Sequence, residues 1–216
     1  AIHLAGRDFL TLNDFRKEEI HYILHLASDL KAKLKQGEYP LLLKGKTLAM
    51  IFEKSSTRTR VSFEVGMTQL GGTALFLSKD DIQLGRGESI FDTANVLSRY
   101  VDAIMIRTFS QKTVEQFAQH ATIPIINGLT DLYHPCQVLA DLLTIQEKKG
   151  FLTGLKVAYI GDGNNMAHSL LVGCATLGIN IAVATPPKYE PNESIVKEAK
   201  RFAEKESSIV NVTHNP

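Results

Sequence analysis

Strand-sized apolar runs alternate with helix-length amphipathic stretches along this whole chain, and that alternation limits the fold more than any other feature. Strands separated by helices line up parallel, with the crossover helices covering both faces of the sheet. Ile20, Ile23, Leu24, Ala27, Leu30 and Leu34 recur at helical spacing, with Asn13 or Asp14 as the expected cap and Gly37 and Pro40 as the stop. Thr47–Phe52 reads as a short buried strand. A helix with Phe63, Met67 and Leu70 on one face follows and stops at Gly71-Gly72. The pattern continues with a strand over 74–77, a helix over 88–100, a strand over 102–108, a helix capped by Ser110 and a strand over 123–127.

After a loop over 128–133, His134-Pro135 opens a helix running to about Lys148. Lys148-Lys149-Gly150 and Gly154 mark a boundary. A second series follows: strand 156–161, helix 165–177, strand 179–185, helix 194–205, strand 208–212. Three strands and two helices make half of a doubly wound sheet. The expected fold is therefore α/β with two doubly wound parallel-sheet domains. The N-terminal domain is complete over 1–133, a connecting helix spans 134–150, and an incomplete Rossmann-like domain begins at 151. A length of 216 residues suits two small domains.

Charge and cysteine usage exclude several partners. Lys and Arg total 24 against 23 Asp and Glu, a net charge of +1. That balance gives no electrostatic reason for nucleic acid or an anionic membrane as partner, while a few focused cations could still hold a small anion. Cys136 and Cys174 are far apart and not in a CxxC pair, which argues against a zinc site or a disulfide framework and for reduced thiols in a cytoplasmic protein. Residues 1–9, with His3, Arg7 and Asp8, lack the apolar core of a signal peptide, and no run approaches the ~20 apolar residues of a membrane span.

Chemistry concentrates at three places. Ser56-Thr57-Arg58-Thr59-Arg60 lies between a strand and a helix. The unpaired N–H groups of a helix start, three hydroxyls and the forked guanidinium of Arg58 together suit a phosphate. The bland alternative is a Ser or Thr cap followed by surface arginines. The spaced glycines and the Lys-Ser/Thr ending of a Walker loop are missing. Arg107 ends another strand and can point into the same crevice or be solvated at the rim. His134-Pro135-Cys136-Gln137 opens a helix: His134 offers a donor for an oxyanion and Gln137 a donor and an acceptor for an amide-like group, unless His134 merely caps.

These motifs resemble one family. Phe52-Glu-Lys-Ser-Ser-Thr-Arg-Thr-Arg60 looks like the carbamoyl phosphate motif of the aspartate and ornithine carbamoyltransferases. His134-Pro-Cys-Gln137 matches their HPxQ motif, continued by Leu139, Ala140 and Asp141, and Ile160-Gly-Asp-Gly-Asn-Asn-Met-Ala-His-Ser169 resembles the ornithine branch. The resemblance covers essentially the whole chain. It implies that Ser56, Thr57, Arg58 and Thr59 bind the phosphate of carbamoyl phosphate and that Arg107 bridges phosphate and carbonyl oxygen. It implies that His134 donates to the carbonyl oxygen, Gln137 holds the carbamoyl amine and Asn165 contacts the α-amino or carboxylate end of L-ornithine. Gln83 is expected to reach a neighbouring subunit's site, which implies a homotrimer or a higher trimer-based oligomer. Arg58, Arg107 and His134 are the expected catalytic residues. No metal and no cofactor are expected, because the reaction needs only oxyanion donors and cations for the departing phosphate.

The family's later acceptor motifs, an Asp, a Ser-Met pair and a His-Cys-Leu-Pro segment, do not occur in this chain. The expectation is a chain that binds carbamoyl phosphate without making citrulline by itself. Aspartate or putrescine is the alternative acceptor. Gly161-Asp-Gly-Asn-Asn165 and Gln83 favour ornithine, while Arg86-Gly87-Glu88 weakly resembles the loop of the aspartate enzymes. Gly161-x-Gly163 after a strand also resembles a dinucleotide turn, but Met166 replaces the third glycine and Thr185, not an acid, ends the next strand.

Overall fold

The computed structural model describes residues 2–82, 84 and 86–216. The chain divides into two compact units, one formed by residues up to Leu10 with His25–Thr130, the other by Thr11–Leu24 with Asp131–Pro216. Every paired strand within the two sheets runs parallel.

In the first unit, β1 (Thr47–Phe52), β2 (Thr73–Ser78), β3 (Ala103–Arg107) and β4 (Ile125–Leu129) form a sheet of order β2-β1-β3-β4. Residues 48–52 of β1 are all buried, as a central strand covered on both faces must be. Its alternate side chains feed two separate cores. Ala49 and Ile51 join Ile104, Ile106 and Ile125 of the neighbouring strands. On that face they also meet Ala94 of α3 (Ile90–Tyr100) and Val114 and Phe117 of α4 (Gln111–His120). Leu48, Met50 and Phe52 join Met105 and Met67 on the other face, under α2 (Thr57–Gln69). The connection from β1 steps to one side and the connection from β2 crosses back over β1 to β3. The winding therefore reverses between β1 and β3, and the crevice where ligands bind in such sheets lies beyond the carboxyl ends of these two strands.

In the second unit, β5 (Lys156–Ile160), β6 (Asn180–Ala184) and β7 (Val210–Thr213) follow in the order β5-β6-β7. The helix α6 (Asn165–Leu177) is buried almost all round, including Leu171, Val172, Cys174 and Ala175. A Cβ on its Gly173 would meet Leu12 and Val138 at 3.1 Å each, so the glycine sets how closely Leu12 and the helix α5 (Pro135–Lys149) approach. The last helix, α7 (Glu193–Lys205), packs on α6.

Two expectations are corrected. Asn13 and Asp14 do not cap the first helix. They belong to a 3-10 turn, Leu12–Asp14, capped by Thr11, and α1 (Lys17–Lys35) starts later. There the carboxylate of Glu19 accepts from the backbone N–H of Arg16 at 2.9 Å, a capping interaction supplied from within the first turn. The strand expected over 123–127 lies two residues further on. Pro124 has no N–H to give, and a register shift in the β3–β4 ladder lets Gly128 be passed over so that Arg107 pairs with Leu129. At Gly128 a Cβ would stand 2.4 Å from the Met105 sulfur and 3.1 Å from the Ile106 carbonyl oxygen, so a larger residue there would have to displace the buried Met105 side chain.

Candidate active site

The turn from β1 into α2 presents a helix start to solvent with little to neutralise it. Ser56 is the N-cap, in extended conformation, and its Oγ accepts from the Thr59 N–H at 3.2 Å. The N–H groups of Thr57 and Arg58 have no acceptor inside the helix, and no acidic residue occupies its first turn. Arg58 and Thr57 are exposed, Ser56 and Thr59 half-buried. Arg107, at the end of β3, donates from Nη1 to Thr59 Oγ1 at 3.4 Å, while its Nε is buried and has no hydrogen-bond partner. Burial first, and the nearby Arg58 second, lower the Arg107 pKa from its ordinary value. Two guanidinium groups thus bear on one helix start, an arrangement that an anion would relieve.

The surroundings hold Arg107 in place. The Glu53 N–H donates to the Arg107 carbonyl at 2.9 Å. The Thr108 hydroxyl donates to Glu53 Oε1 at 3.0 Å, and the Thr108 N–H to the Leu129 carbonyl at 2.9 Å. Glu53 and Thr108 were not among the expected site residues. The sequence signal for Thr108 is adjacency to a strand end, and for Glu53 that adjacency and a place in the Phe52–Arg60 motif. Arg60 is no part of the cluster: its guanidinium lies 3.6 Å from the centroid of the Phe76 ring, and its Nε is 3.5 Å from Glu64. Of the two arginines in the motif, one is committed to a ring and the other is open.

In the second unit, His134 is the residue before α5, with Pro135 in the first helical position. Its side chain makes no capping hydrogen bond, so the bland reading of a capping histidine does not describe it. Gln137 is exposed and donates to Asp141 Oδ1 at 2.9 Å, which leaves its amide oxygen outside that bond. Burial raises the thiol of Cys136 to about 12, although the residue as a whole is only half-buried, and the nucleophilic thiolate is not populated near neutrality. Gln83 lies outside the described residues.

The turn from β5 into α6 separates its two asparagines. Asn164 is spent on capping: its Oδ1 accepts from the N–H groups of Met166 and Ala167 and from the Tyr159 hydroxyl. Asn165, half-buried, takes the first helical position and is not the cap. The dinucleotide reading fails at Gly163. A Cβ there would stand 2.3 Å from Pro191 N and 2.6 Å from the Tyr189 carbonyl oxygen, so the chain's own backbone fills the space where a pyrophosphate would have to approach. Among the described residues no group of three or more His, Cys, Asp or Glu is placed to hold a metal ion, and no helix is long and apolar enough to cross a membrane.

Known proteins resemble this chain along its whole length. Residues 7–147 match the carbamoyl-P binding domain of the aspartate/ornithine carbamoyltransferases, and residues 153–216 match the Asp/Orn binding domain of the same proteins. An ornithine carbamoyltransferase of Anoxybacillus flavithermus is 65% identical over 215 residues, which is 100% of this chain and 68% of that protein. One from Bacillus subtilis is 60% identical, over 99% of this chain and 66% of that protein. The structure of ornithine carbamoyltransferase from Pyrococcus furiosus superposes with a TM-score of 0.98 at 55% identity, covering 100% of this chain and 69% of that one. The chain thus spans about two thirds of the length of these relatives.

Proposed function

The chain belongs to the aspartate/ornithine carbamoyltransferase family, and on that premise we propose that it carries the carbamoyl phosphate site and the first acceptor contact of an ornithine carbamoyltransferase. The reaction is transfer of the carbamoyl group from carbamoyl phosphate to the δ-amine of L-ornithine, giving L-citrulline and phosphate. One observation carries the reading: Arg58 and Arg107 bear on one uncompensated helix start at the point where the sheet's winding reverses.

The chemistry follows from the residue types. The neutral δ-amine attacks the carbamoyl carbon with its lone pair, and the carbonyl oxygen becomes an oxyanion. The bond from carbon to the phosphate oxygen then breaks, and phosphate leaves with the electron pair and takes up the proton that the amine gives up. Ser56, Thr57, Arg58 and Thr59 hold the phosphoryl end, so that the leaving group is bound before it departs. Arg107 spans the phosphate and the carbonyl oxygen, and His134 donates to the same oxygen, where charge develops in the transition state. Gln137 holds the carbamoyl amine, and Asn165 the α-amino or carboxylate end of ornithine. Removing one oxyanion donor from such a site typically costs about 10²–10³ in turnover.

A homotrimer, or a higher trimer-based assembly, is the proposed form. Val61 and Val65, one turn apart on α2, are 52% and 45% exposed, which gives that helix an apolar strip suited to a second copy. Gln83 of a neighbouring copy would complete the site. The proposed compartment is the cytoplasm and the proposed role arginine biosynthesis. The name of the Pyrococcus furiosus relative, an anabolic ornithine carbamoyltransferase, supports that role.

Calorimetric titration with carbamoyl phosphate tests the site. Wild-type protein binds, while Arg58→Ala and Arg107→Ala each lose most of the affinity with unchanged melting temperature. Equal binding by all three proteins would contradict the assignment.

A further inference from the structure

The resemblance assigns Asn165 a role but none to the residues one turn further along α6. We propose that His168 and Ser169 are positioning residues for His134: they fix the backbone from which its imidazole projects. The inference rests on the reading of His134 as a donor to the carbamoyl oxygen.

Three hydrogen bonds carry it, all within the second unit. The Ser169 hydroxyl accepts from the backbone N–H of His134 at 2.8 Å, and Ser169 is 1% exposed. His168, 5% exposed, has Nδ1 at 2.8 Å from the Leu132 carbonyl, two residues before His134. Its Nε2 accepts from the Asn192 N–H at 2.9 Å. That last bond fixes the chemistry of the ring. Because Nε2 must present a lone pair to Asn192, the proton sits on Nδ1, where it donates to Leu132. Both nitrogens of one neutral imidazole are therefore committed. One holds the turn before α5 and the other the turn before α7.

His134 stands at the entry to α5, outside its regular helical geometry. Its φ of −135° and ψ of 69° are not helical, and its side chain does not cap α5. Its imidazole projects from the backbone of residues 132–134, and that backbone is bonded at both ends to adjacent residues of one buried helix. Tyr133 between them packs edge-on against the His168 ring, at 6.4 Å between centroids and 70° between planes. The first two turns of α6 thus carry Asn165, proposed for the acceptor, and the two residues that hold His134. A rigid buried helix keeps a proposed substrate contact in register with a proposed oxyanion donor.

Imidazole nitrogen NMR of the 216-residue chain, with carbamoyl phosphate as the probe, tests this. In wild-type protein at neutral pH, His168 gives the neutral pattern with the proton on Nδ1, and carbamoyl phosphate shifts the His134 ring signals. In Ser169→Ala that shift is lost and carbamoyl phosphate affinity falls about tenfold, the scale of one hydrogen bond to a buried group. Ser169→Thr, which keeps the hydroxyl, restores both. His168 with the proton on Nε2, or an undiminished His134 response in Ser169→Ala, would overturn the positioning role. Equal losses in Ser169→Ala and Ser169→Thr would do the same, since the hydroxyl would then not be the cause. If the His134 signals ignore carbamoyl phosphate in the wild-type protein itself, the assignment of His134 as a donor fails instead. The tautomer reading needs no variant and holds whether or not the alanine protein folds.

Discussion

The turns from β1 into α2 and from β5 into α6 share a plan, a parallel strand followed by a four-residue turn and the N-terminus of a thirteen-residue helix, and they put it to opposite uses. At β1–α2 there is no glycine; Ser56 satisfies one helix N–H, and Arg58 and Arg107 add positive charge to what is already the positive end of a helix. At β5–α6 one Asn164 oxygen takes two helix N–H groups and a phenol, and the backbone of 189–191 packs on Gly163. A helix start becomes an anion site only when it is left open and given cations.

The largest test of that contrast is steric. Gly163→Ala should cost about 3 kcal/mol or more of stability, because the contacting atoms are backbone and cannot turn aside. Urea unfolding would measure the loss, and a stability change under 1 kcal/mol would break the packing argument. Of similar size is the loss of a cation: Arg107→Ala should weaken carbamoyl phosphate binding by about 2–3 kcal/mol, with little change in stability because its Nε has no partner and its Nη1 bond to Thr59 is long, at 3.4 Å. Below these come the caps. Ser56→Ala and Asn164→Ala should each cost about 1 kcal/mol of stability, but only Ser56→Ala should also weaken binding of inorganic phosphate. If Asn164→Ala weakened phosphate binding equally, the contrast between the turns would fail.

The smallest expected effect is on pH dependence. His168 has its pKa lowered from 6.5 chiefly by burial, partly opposed by its bond to Leu132 and by Asp162. The folded protein therefore favours the neutral ring more than the unfolded chain does. Its contribution to stability is complete above about pH 6.5 and is lost as the pH falls from there toward the lowered folded value, where the unfolded chain binds the extra proton. Denaturation curves at pH 7.5 and 5.5 should show a smaller acid loss in His168→Gln than in wild type; equal losses would remove His168 from the account.

Much of this could be read from the sequence because the parallel sheet imposes two strong signals. The fully apolar run of β1 and the unbroken helical span of α6 both coincide with their predicted limits. The Ser56–Arg58 turn was legible from hydroxyls and a guanidinium at a helix start, while the meeting of Arg107 with Thr59 was one of two readings the sequence left open. What was not legible depends on contacts distant in sequence. Nothing local marks Glu53 as the partner of Thr108, Gly128 as a residue passed over in a ladder, or Gly163 as packed on residues 189–191. The caps at Asn13 and Asp14 were misread because both residues are good caps, and the chain used them for a 3-10 turn six residues before the first pair of buried helix side chains. Nothing local gives His168 and Ser169 a role of their own either, since each resembles an ordinary buried polar residue until its bonds are traced to Leu132 and His134.

The central claim, that an open, cationic helix start is what distinguishes the β1–α2 turn, is tested most directly by backbone amide NMR during titration with inorganic phosphate. The account predicts saturable shifts at Thr57, Arg58 and Thr59 and none at Met166 or Ala167, whose N–H groups Asn164 already holds. Shifts at the α6 turn instead, or no saturable shift at Thr57–Thr59, would contradict it.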